Sequence, residues 1–376
     1  MKIKNYPKAV KFLFNKLPSY VILFVTSRCN AKCAHCFYWK EIDSSKERKE
    51  LDLKELEMIS NSLNEIKFLT VTGGEPSLRD DLPDIYHIFY RNNKLRLASL
   101  QTNGILSEKI KELCEEILFK CPNLVLNVSL PIDGLFEQHD RLRNVKGAFD
   151  NAIRTVELLT SLKNRFDNFS IVINTVYNYY NSQWIKRLID FVHDNLEVDR
   201  HYISLIRGEV RDRLAKNISI EDYEEISNYL REKELQRNVK LPYAFSSFRR
   251  TLELLAPKIV VETIKKKEAI FPCKAGEKLI VISDTAELLP CEMLNKSFGN
   301  LRENDYDVKK LLFSDRKREI IDFIKGGKCW CSWECAILGN LVFNSGAYPR
   351  VVKEWIKENF IMIFKAHKST ILKSHR

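Results

Sequence analysis

Six short runs rich in β-branched and aromatic residues recur along the first 206 residues, separated by helical patterns. They are YVILFV (20–25), FLTVT (68–72), LRLASLQT (95–102), LVLNVSL (124–130), FSIVINTV (169–176) and HYISLI (201–206). Between the first two, LKELEMISNSLNEI sets Leu53, Leu56, Ile59, Leu63 and Ile66 at steps of three and four, which is one face of a helix. Strands that alternate with helices, without a fixed-period repeat, predict an α/β fold built on a parallel sheet.

From about Ile218 the texture turns to charged helix, opening at SIEDYEEI, where Ser219 and Asp222 resemble a capping box. That stretch runs to about Ile270, and a cysteine-containing segment starts at FPC. The expected organisation is therefore a main domain over 1–215, a helical connection over 216–270, a small cysteine-rich module over 271–345 and a basic amphipathic C-terminal helix over 346–376. A chain of 376 residues can bury one large core and a smaller one.

The opening MKIKNYPKAVKFLFNKLPSYVILFV is basic and then apolar, but Lys11, Asn15, Lys16 and Pro18 interrupt it before it takes membrane-spanning or signal-peptide form. A cytoplasmic protein is expected. In a reducing compartment, ten cysteines point to metal or redox chemistry rather than a disulfide framework. The formal net charge of +11 suits an anionic substrate, a nucleic acid or a membrane surface. No recognition motif or aromatic-interleaved basic stripe supports nucleic acid, and none is expected as a partner. The segment PRVVKEWIKENFIMIFKAHKSTILKSHR sets Trp355, Phe360, Ile363 and Phe364 among lysines. It reads as a helix docked on the protein with a solvated basic face, or as one in peripheral contact with a bilayer.

The densest chemistry lies in TSRCNAKCAHC, where Cys29, Cys33 and Cys36 follow the first strand. Structural zinc would need a fourth ligand, which His35 could supply only by turning inward. A [4Fe-4S] cube normally takes four cysteines, so three would leave one iron open. CxxxCxxC with an aromatic residue before the last cysteine, here His35, resembles the signature of the radical S-adenosylmethionine (SAM) enzymes. The resemblance implies a [4Fe-4S] cluster on Cys29, Cys33 and Cys36 whose open iron chelates the amino and carboxylate groups of SAM. In that family an electron passed to the sulfonium releases methionine and a 5′-deoxyadenosyl radical, which abstracts hydrogen from the substrate. The cofactors supply the hard chemistry and the protein supplies position.

Other segments resemble the same family. TVTGGEP (70–76) follows the second strand as the family's motif for the SAM amino group does, implying roles for Gly73, Gly74 and Glu75; by itself it is also a simple glycine turn. QTNG (101–104) closes the third strand. VSLPIDG (128–134) looks like the fourth-strand SxDG motif, implying that Ser129 helps hold the SAM ribose, with Pro131 and Ile132 standing as an insertion before Asp133. In HDRLRNVKGAFDNAI (139–153) the resemblance implies an arginine that pairs with the SAM carboxylate: Arg143, with Arg141 as competitor. INTVYN and SLIRG sit at the ends of the fifth and sixth strands. All these loops lie just past strands, where a parallel barrel gathers its active site. The resemblance covers residues 20–210 and implies a partial (β/α)6 TIM-type barrel.

The C-terminal module carries Cys273, Cys291, Cys329, Cys331 and Cys335. An early pair and a late group resemble the SPASM and twitch auxiliary iron–sulfur domains, and five cysteines rather than seven imply one auxiliary [4Fe-4S] cluster. Cys273, Cys291, Cys331 and Cys335 are the expected ligands, with Cys329 the alternative; a zinc knuckle on four of the five thiols is the other reading. Ala286 and Glu287 stand where the resembling domains have glycine. Cys114 and Cys121 read as buried small residues.

The resemblance thus implies a radical SAM oxidoreductase or related radical-transfer enzyme, fed electrons by a reducing protein such as flavodoxin or ferredoxin. An auxiliary cluster could accept an electron from the substrate radical or bind the substrate. About twenty residues precede the first strand, which shades the expectation toward a small-molecule, glycan or lipid-linked substrate. The alternatives are a peptide or protein side-chain maturase and a non-catalytic iron–sulfur or zinc metalloprotein.

Overall fold

The computed structural model describes residues 17–237 and 246–360. The six expected strands form as β1 (Tyr20–Phe24), β2 (Phe68–Thr72), β3 (Leu97–Gln101), β4 (Val125–Leu130), β5 (Phe169–Tyr177) and β6 (Arg200–Leu205). Each pairs in parallel with the next in sequence. The intervening crossovers are α1 (Leu53–Ser62), α2 (Leu82–Asn92), α3 (Ser107–Lys120), α4 (Ala148–Lys163) and α5 (Ile185–Asn195), with α6 (Ile220–Glu234) after β6. Asp52 and Glu55 form a reciprocal capping box that starts α1. Leu63 and Ile66, expected on the α1 face, are buried although the helix has already ended at Ser62. Cys114 and Cys121 are fully buried in this layer, as small core residues are.

The cysteine-rich module is continuous with the barrel sheet. Its first strand, β7 (Leu279–Ile282), pairs in parallel with the free side of β1, and β8 (Glu287–Leu289) and β9 (Gly299–Asn300) extend the same sheet in antiparallel fashion to nine strands. Side chains reinforce the join. Asp284, fully buried at the β7–β8 turn, accepts from Arg48 at 2.6 and 2.9 Å and from the Tyr38 hydroxyl at 2.8 Å. Glu55 on α1 accepts from Arg302 at 2.7 Å and from Tyr306 at 2.9 Å. Ala286, in the position the sequence singled out for its lack of glycine, takes the left-handed conformation at φ 72 and packs its methyl in the core. The strain of that conformation, about 1–2 kcal/mol, is partly offset by the buried methyl.

The expected helical connection is α6 together with α7 (Ser246–Lys266), which packs on α6 and on α8 (Glu334–Phe343). Ser219 caps α6 by accepting from the Asp222 amide. Residues 348–360 are helical and dock on α6 and α7, with Glu358 accepting from Arg231 at 3.0 Å and from Thr251 at 2.5 Å. The rest of the expected C-terminal amphipathic helix lies outside the described residues. Among the described residues, no helix is long and apolar enough to cross a membrane.

A closed barrel of this kind is normally filled by branched apolar side chains. Here one level of the sheet runs Ile22, Thr70, Ser99, Asn127 and Ser170 across five strands. These residues line a single cavity of about 400 Å³ that is also touched by Tyr20 and Ser204, so the sheet curls around it although β1 and β6 do not pair. The polar side chains partner one another: Tyr20 with Thr70 at 3.1 Å, Gln101 to Ser99 at 2.7 Å and Ser204 to Asn174 at 2.8 Å.

The Glu55 tie predicts a pH-dependent weld between barrel and module. The hydrogen bond from Arg302 draws the Glu55 carboxyl from its ordinary 4.5 down to about 2, so its contribution is complete above pH 4.5 and is lost as the pH falls through about 2. Glu55→Gln should cost about 2 kcal/mol at neutral pH. The gap between variant and wild type, measured by urea unfolding, should narrow across that acid window.

Candidate active site

The β1 strand ends in a loop that carries Cys29, Cys33 and Cys36. This loop is clamped from both sides: Lys32 and Ala34 amides donate to the carbonyls of Arg143 and Leu142 at 3.3 and 3.0 Å, and Arg211 and Asp212 amides donate to Cys36 and Ala34 at 3.2 and 2.8 Å. All three thiols open into the 400 Å³ cavity, and none is in a disulfide. Burial pushes the Cys29 and Cys36 thiols up to about 12. A bound cationic centre would reverse that, because thiolates are the form that ligates metal. Among the described residues, no three His, Cys, Asp or Glu side chains converge tightly enough for a single metal ion. The donor set that remains is three cysteine sulfurs on one fixed loop, which fits three corners of an iron–sulfur cube.

The glycines of TVTGGEP serve the backbone. Gly73 sits at φ +146, and a Cβ there would stand 2.2 Å from the Thr26 carbonyl oxygen; at Gly74 it would stand 2.2 Å from that of Arg28. The close approach read from the sequence is thus to the neighbouring loop, with Gly74 and Glu75 amides donating to Thr26 and Arg28 at 2.7 and 2.8 Å. Both glycines line the cavity as a consequence. Glu75 is fully buried, and its two oxygens accept from the Ser77 amide at 3.0 Å, the Thr102 hydroxyl at 2.6 Å and the Asn103 amide at 2.6 Å. It therefore braces the GGEP and TNG loops against each other. Asn103 in turn reaches Asn30 of the cysteine loop at 2.6 Å.

Of the two arginines, Arg143 faces the cavity, whereas Arg141 is exposed beside Glu137. The Arg143 guanidinium pairs with Asp133 and reaches the Cys33 sulfur at 3.6 Å. Asp133, which the sequence left beyond an apparent insertion, is fully buried and also accepts from the Val176 amide at 2.7 Å, with His35 Nε2 at 3.5 Å. Burial alone would raise the Asp133 carboxyl, but Arg143, His35 and His139 hold it below its ordinary value. Burial lowers His35 to about 4, so the residue before the last cysteine is a neutral imidazole. Ser129 lies at the end of β4 in register with Gln101, and both line the cavity.

Sequence reading missed a charged group on the opposite wall. Arg207, just past β6, pairs with Glu292 at 3.2 Å and Glu334 at 3.7 Å and lies over the Phe37 ring. These residues come from segments 85 and 127 positions apart from Arg207, so no local pattern announces them. The polar lumen was more accessible: alternate positions in FLTVT, LASLQ and VLNVSL are Thr, Ser, Gln and Asn.

The five C-terminal cysteines divide. Cys273, Cys329 and Cys331 line a second cavity of about 30 Å³, and Cys291 has Cys331 and Cys273 as electrostatic neighbours. Cys335 lines the large cavity instead, where its charged and hydrogen-bonding neighbours are Glu292, Arg207, Glu334 and Tyr20. Cys329, read as the alternative, thus sits with the group, and Cys335, read as a ligand, lines the large cavity while packing in the same buried cluster as Cys273, Cys291 and Cys331.

Residues 23–192 match the family described as "Radical SAM superfamily". The chain is 27% identical over 303 residues to the AdoMet-dependent heme synthase of Methanosarcina barkeri (strain Fusaro / DSM 804), covering 77% of this chain and 81% of that one. It is 26% identical over 301 residues to the antilisterial bacteriocin subtilosin biosynthesis protein AlbA of Bacillus subtilis (strain 168), covering 77% of this chain and 59% of AlbA. Streptococcus suis SuiB bound to S-adenosylmethionine has a similar fold, with TM-score 0.56 at 20% identity over 83% of this chain and 67% of that one. SuiB bound to the precursor peptide SuiA gives TM-score 0.59 at 18% identity over 85% and 70%. The family match and the relatives support the radical SAM superfamily, as the cysteine loop implies.

Two substitutions test the roles of the scaffold. Gly73→Ala should destabilise the fold measurably by thermal denaturation, since the methyl meets backbone that cannot rotate away. Asp133→Ala should cost about 3–5 kcal/mol by leaving Arg143 buried without its counter-charge, and Asp133→Ala with Arg143→Met should recover part of that loss.

Proposed function

We propose that this chain is a radical SAM enzyme that abstracts hydrogen from a polar substrate held in the barrel lumen. The observation that carries the reading is that the three thiols of the β1 loop open into the same cavity as the ends of β2 to β6. Cys29, Cys33 and Cys36 would hold a [4Fe-4S] cluster. Gly73, Gly74, Ser129 and Arg143 would face SAM, with Glu75 acting through the loops it braces. When bound, cluster and SAM supply the electron transfer and the 5′-deoxyadenosyl radical. The chain's own residues fix the cysteine loop, present Arg143 with its charge already set by Asp133, and surround the reacting space with Thr70, Ser99, Asn127 and Asn174 as hydrogen-bonding partners for substrate.

One auxiliary [4Fe-4S] cluster would sit on Cys273, Cys291, Cys329 and Cys331, supported by the neighbourhood of those four. A small-molecule, glycan or lipid-linked substrate suits the hydroxyl- and amide-lined lumen. A second reading, a peptide or protein side-chain maturase, is supported by the extended match to AlbA and by SuiB, whose structure holds a precursor peptide. A flavodoxin- or ferredoxin-type protein is the proposed electron source.

Anaerobically reconstituted protein given SAM and a strong reductant should form 5′-deoxyadenosine, detected by mass spectrometry, and the Cys29→Ala, Cys33→Ala, Cys36→Ala variant should form none. Iron-loaded wild type that neither binds SAM nor cleaves it would overturn the reading.

A further inference from the structure

The helix of residues 348–360 turns its two carboxylates inward. Glu354 and Glu358 both accept from Arg231 on α6, at 3.2 and 3.0 Å, and Glu358, only 1% exposed, also accepts from the Thr251 hydroxyl of α7. Val351 is fully buried on the same face. Successive helical residues stand about 100° apart, so the side opposite this seam belongs to Val352, Ile356 and Phe360. They are 44%, 52% and 61% exposed.

Lys353 and Lys357, both exposed and one helical turn apart, run along one border of that stripe. Trp355 stands on the other border, 36% exposed, with its indole N–H donating to the Ser247 hydroxyl at 3.3 Å. The outward face therefore combines apolar side chains with positive charge, while the helix's negative charge is confined to the seam. Apolar residues scattered singly over a surface are ordinary, but several on one helical face form a patch, and such patches mark interaction sites.

The charge pattern says what covers it. The core of a protein–protein interface is depleted of lysine, whereas a helix lying on a bilayer uses lysine, its apolar side chains entering the acyl boundary while the ammonium groups reach back to the headgroups. Residues 361–376 continue the same sign, with Lys365, Lys368, Lys373 and Arg376 and no acidic residue. Among the described residues no helix is long and apolar enough to cross a membrane, so the contact is with a surface.

We propose that the outward face of residues 348–360 docks the protein on an anionic phospholipid bilayer, with Val352 and Ile356 in the acyl boundary and Lys353 and Lys357 at the headgroups. Arg231, which holds both carboxylates of the seam, also lines the lumen. The docked helix is thereby one side chain removed from the reacting space. Docking of this kind needs neither cluster nor SAM, and it goes beyond the radical reading above.

The experiment is flotation of the full-length protein with vesicles of phosphatidylcholine alone, or of phosphatidylcholine and phosphatidylglycerol at about three to one. Wild type should float with the anionic vesicles, release from them at high salt and stay behind with the neutral ones. Val352→Ser with Ile356→Ser, and separately Lys353→Gln with Lys357→Gln, should each lower partition onto anionic vesicles by about tenfold or more. Both pairs sit on the solvent side, so thermal denaturation should match wild type and separate lost docking from lost folding. Wild type that ignores anionic vesicles would overturn the proposal. Binding that both variants keep would place the contact elsewhere in the chain and overturn it equally. A dimer in analytical ultracentrifugation that Val352→Ser with Ile356→Ser dissolves, without vesicle binding by wild type, would make the face an interface between copies instead.

Discussion

A parallel sheet that curls without closing leaves two strand edges, each with backbone donors and acceptors that need partners. Much of this molecule is the solution to that problem. On one side β7 continues the sheet from β1, with register running from Tyr20 opposite Leu279 to Leu23 opposite Ile282. On the other, the Glu334 carboxylate accepts from the edge amide of Leu205. Both devices come from the cysteine-rich module, which explains why it cannot be a freely hinged appendage. Of the module's cysteines, Cys335 alone lines the lumen, from the first turn of the helix whose Glu334 covers that edge.

The open curl also relieves the interior of the need to be filled. A barrel packed with valine and isoleucine would gain more from burial, about 25 cal/mol per Å² of apolar surface, than one lined by Thr70, Ser99, Asn127 and Ser170. The apolar core lies instead between the outer face of the sheet and the helices, where Leu69, Leu126, Ile171 and Ile117 are fully buried. Stability and site occupy opposite faces of one sheet. The loop charges follow the same economy: Asp133 neutralises Arg143 before any ligand arrives, and Glu75 binds two loops that would otherwise move independently. These pairs hold the cysteine loop to one geometry, so that little reorganisation remains for the chemistry.

The strands, the three-cysteine loop and its flanking motifs were legible because each is local: a run of five or six residues, or a fixed spacing within one loop. The direction of Gly73 and Gly74 was harder, since glycine signals a close approach but not to what, and the neighbour proved to be Thr26 and Arg28 of the adjacent loop. Asp133 was obscured by Pro131 and Ile132, which alter the spacing of the motif yet leave the carboxylate at Arg143. The Arg207 group and the partition of the five late cysteines lay beyond sequence altogether. Cys331 and Cys335 are four residues apart, but Trp333, fully buried between them, ends the extended segment and begins α8, so the two residues line different cavities while sharing one buried cluster.

That change of backbone direction links the edge problem to the chemistry. α8 must begin where β6 needs a partner for Leu205, which fixes Glu334. One residue further along a helix turns the side chain by roughly 100°, and the direction it then faces is the Tyr20 side of the opening. A residue at 335 is therefore obliged to look into the lumen by the same geometry that closes the sheet. Glu334 thus covers the β6 edge amide while the next side chain along α8 lines the lumen.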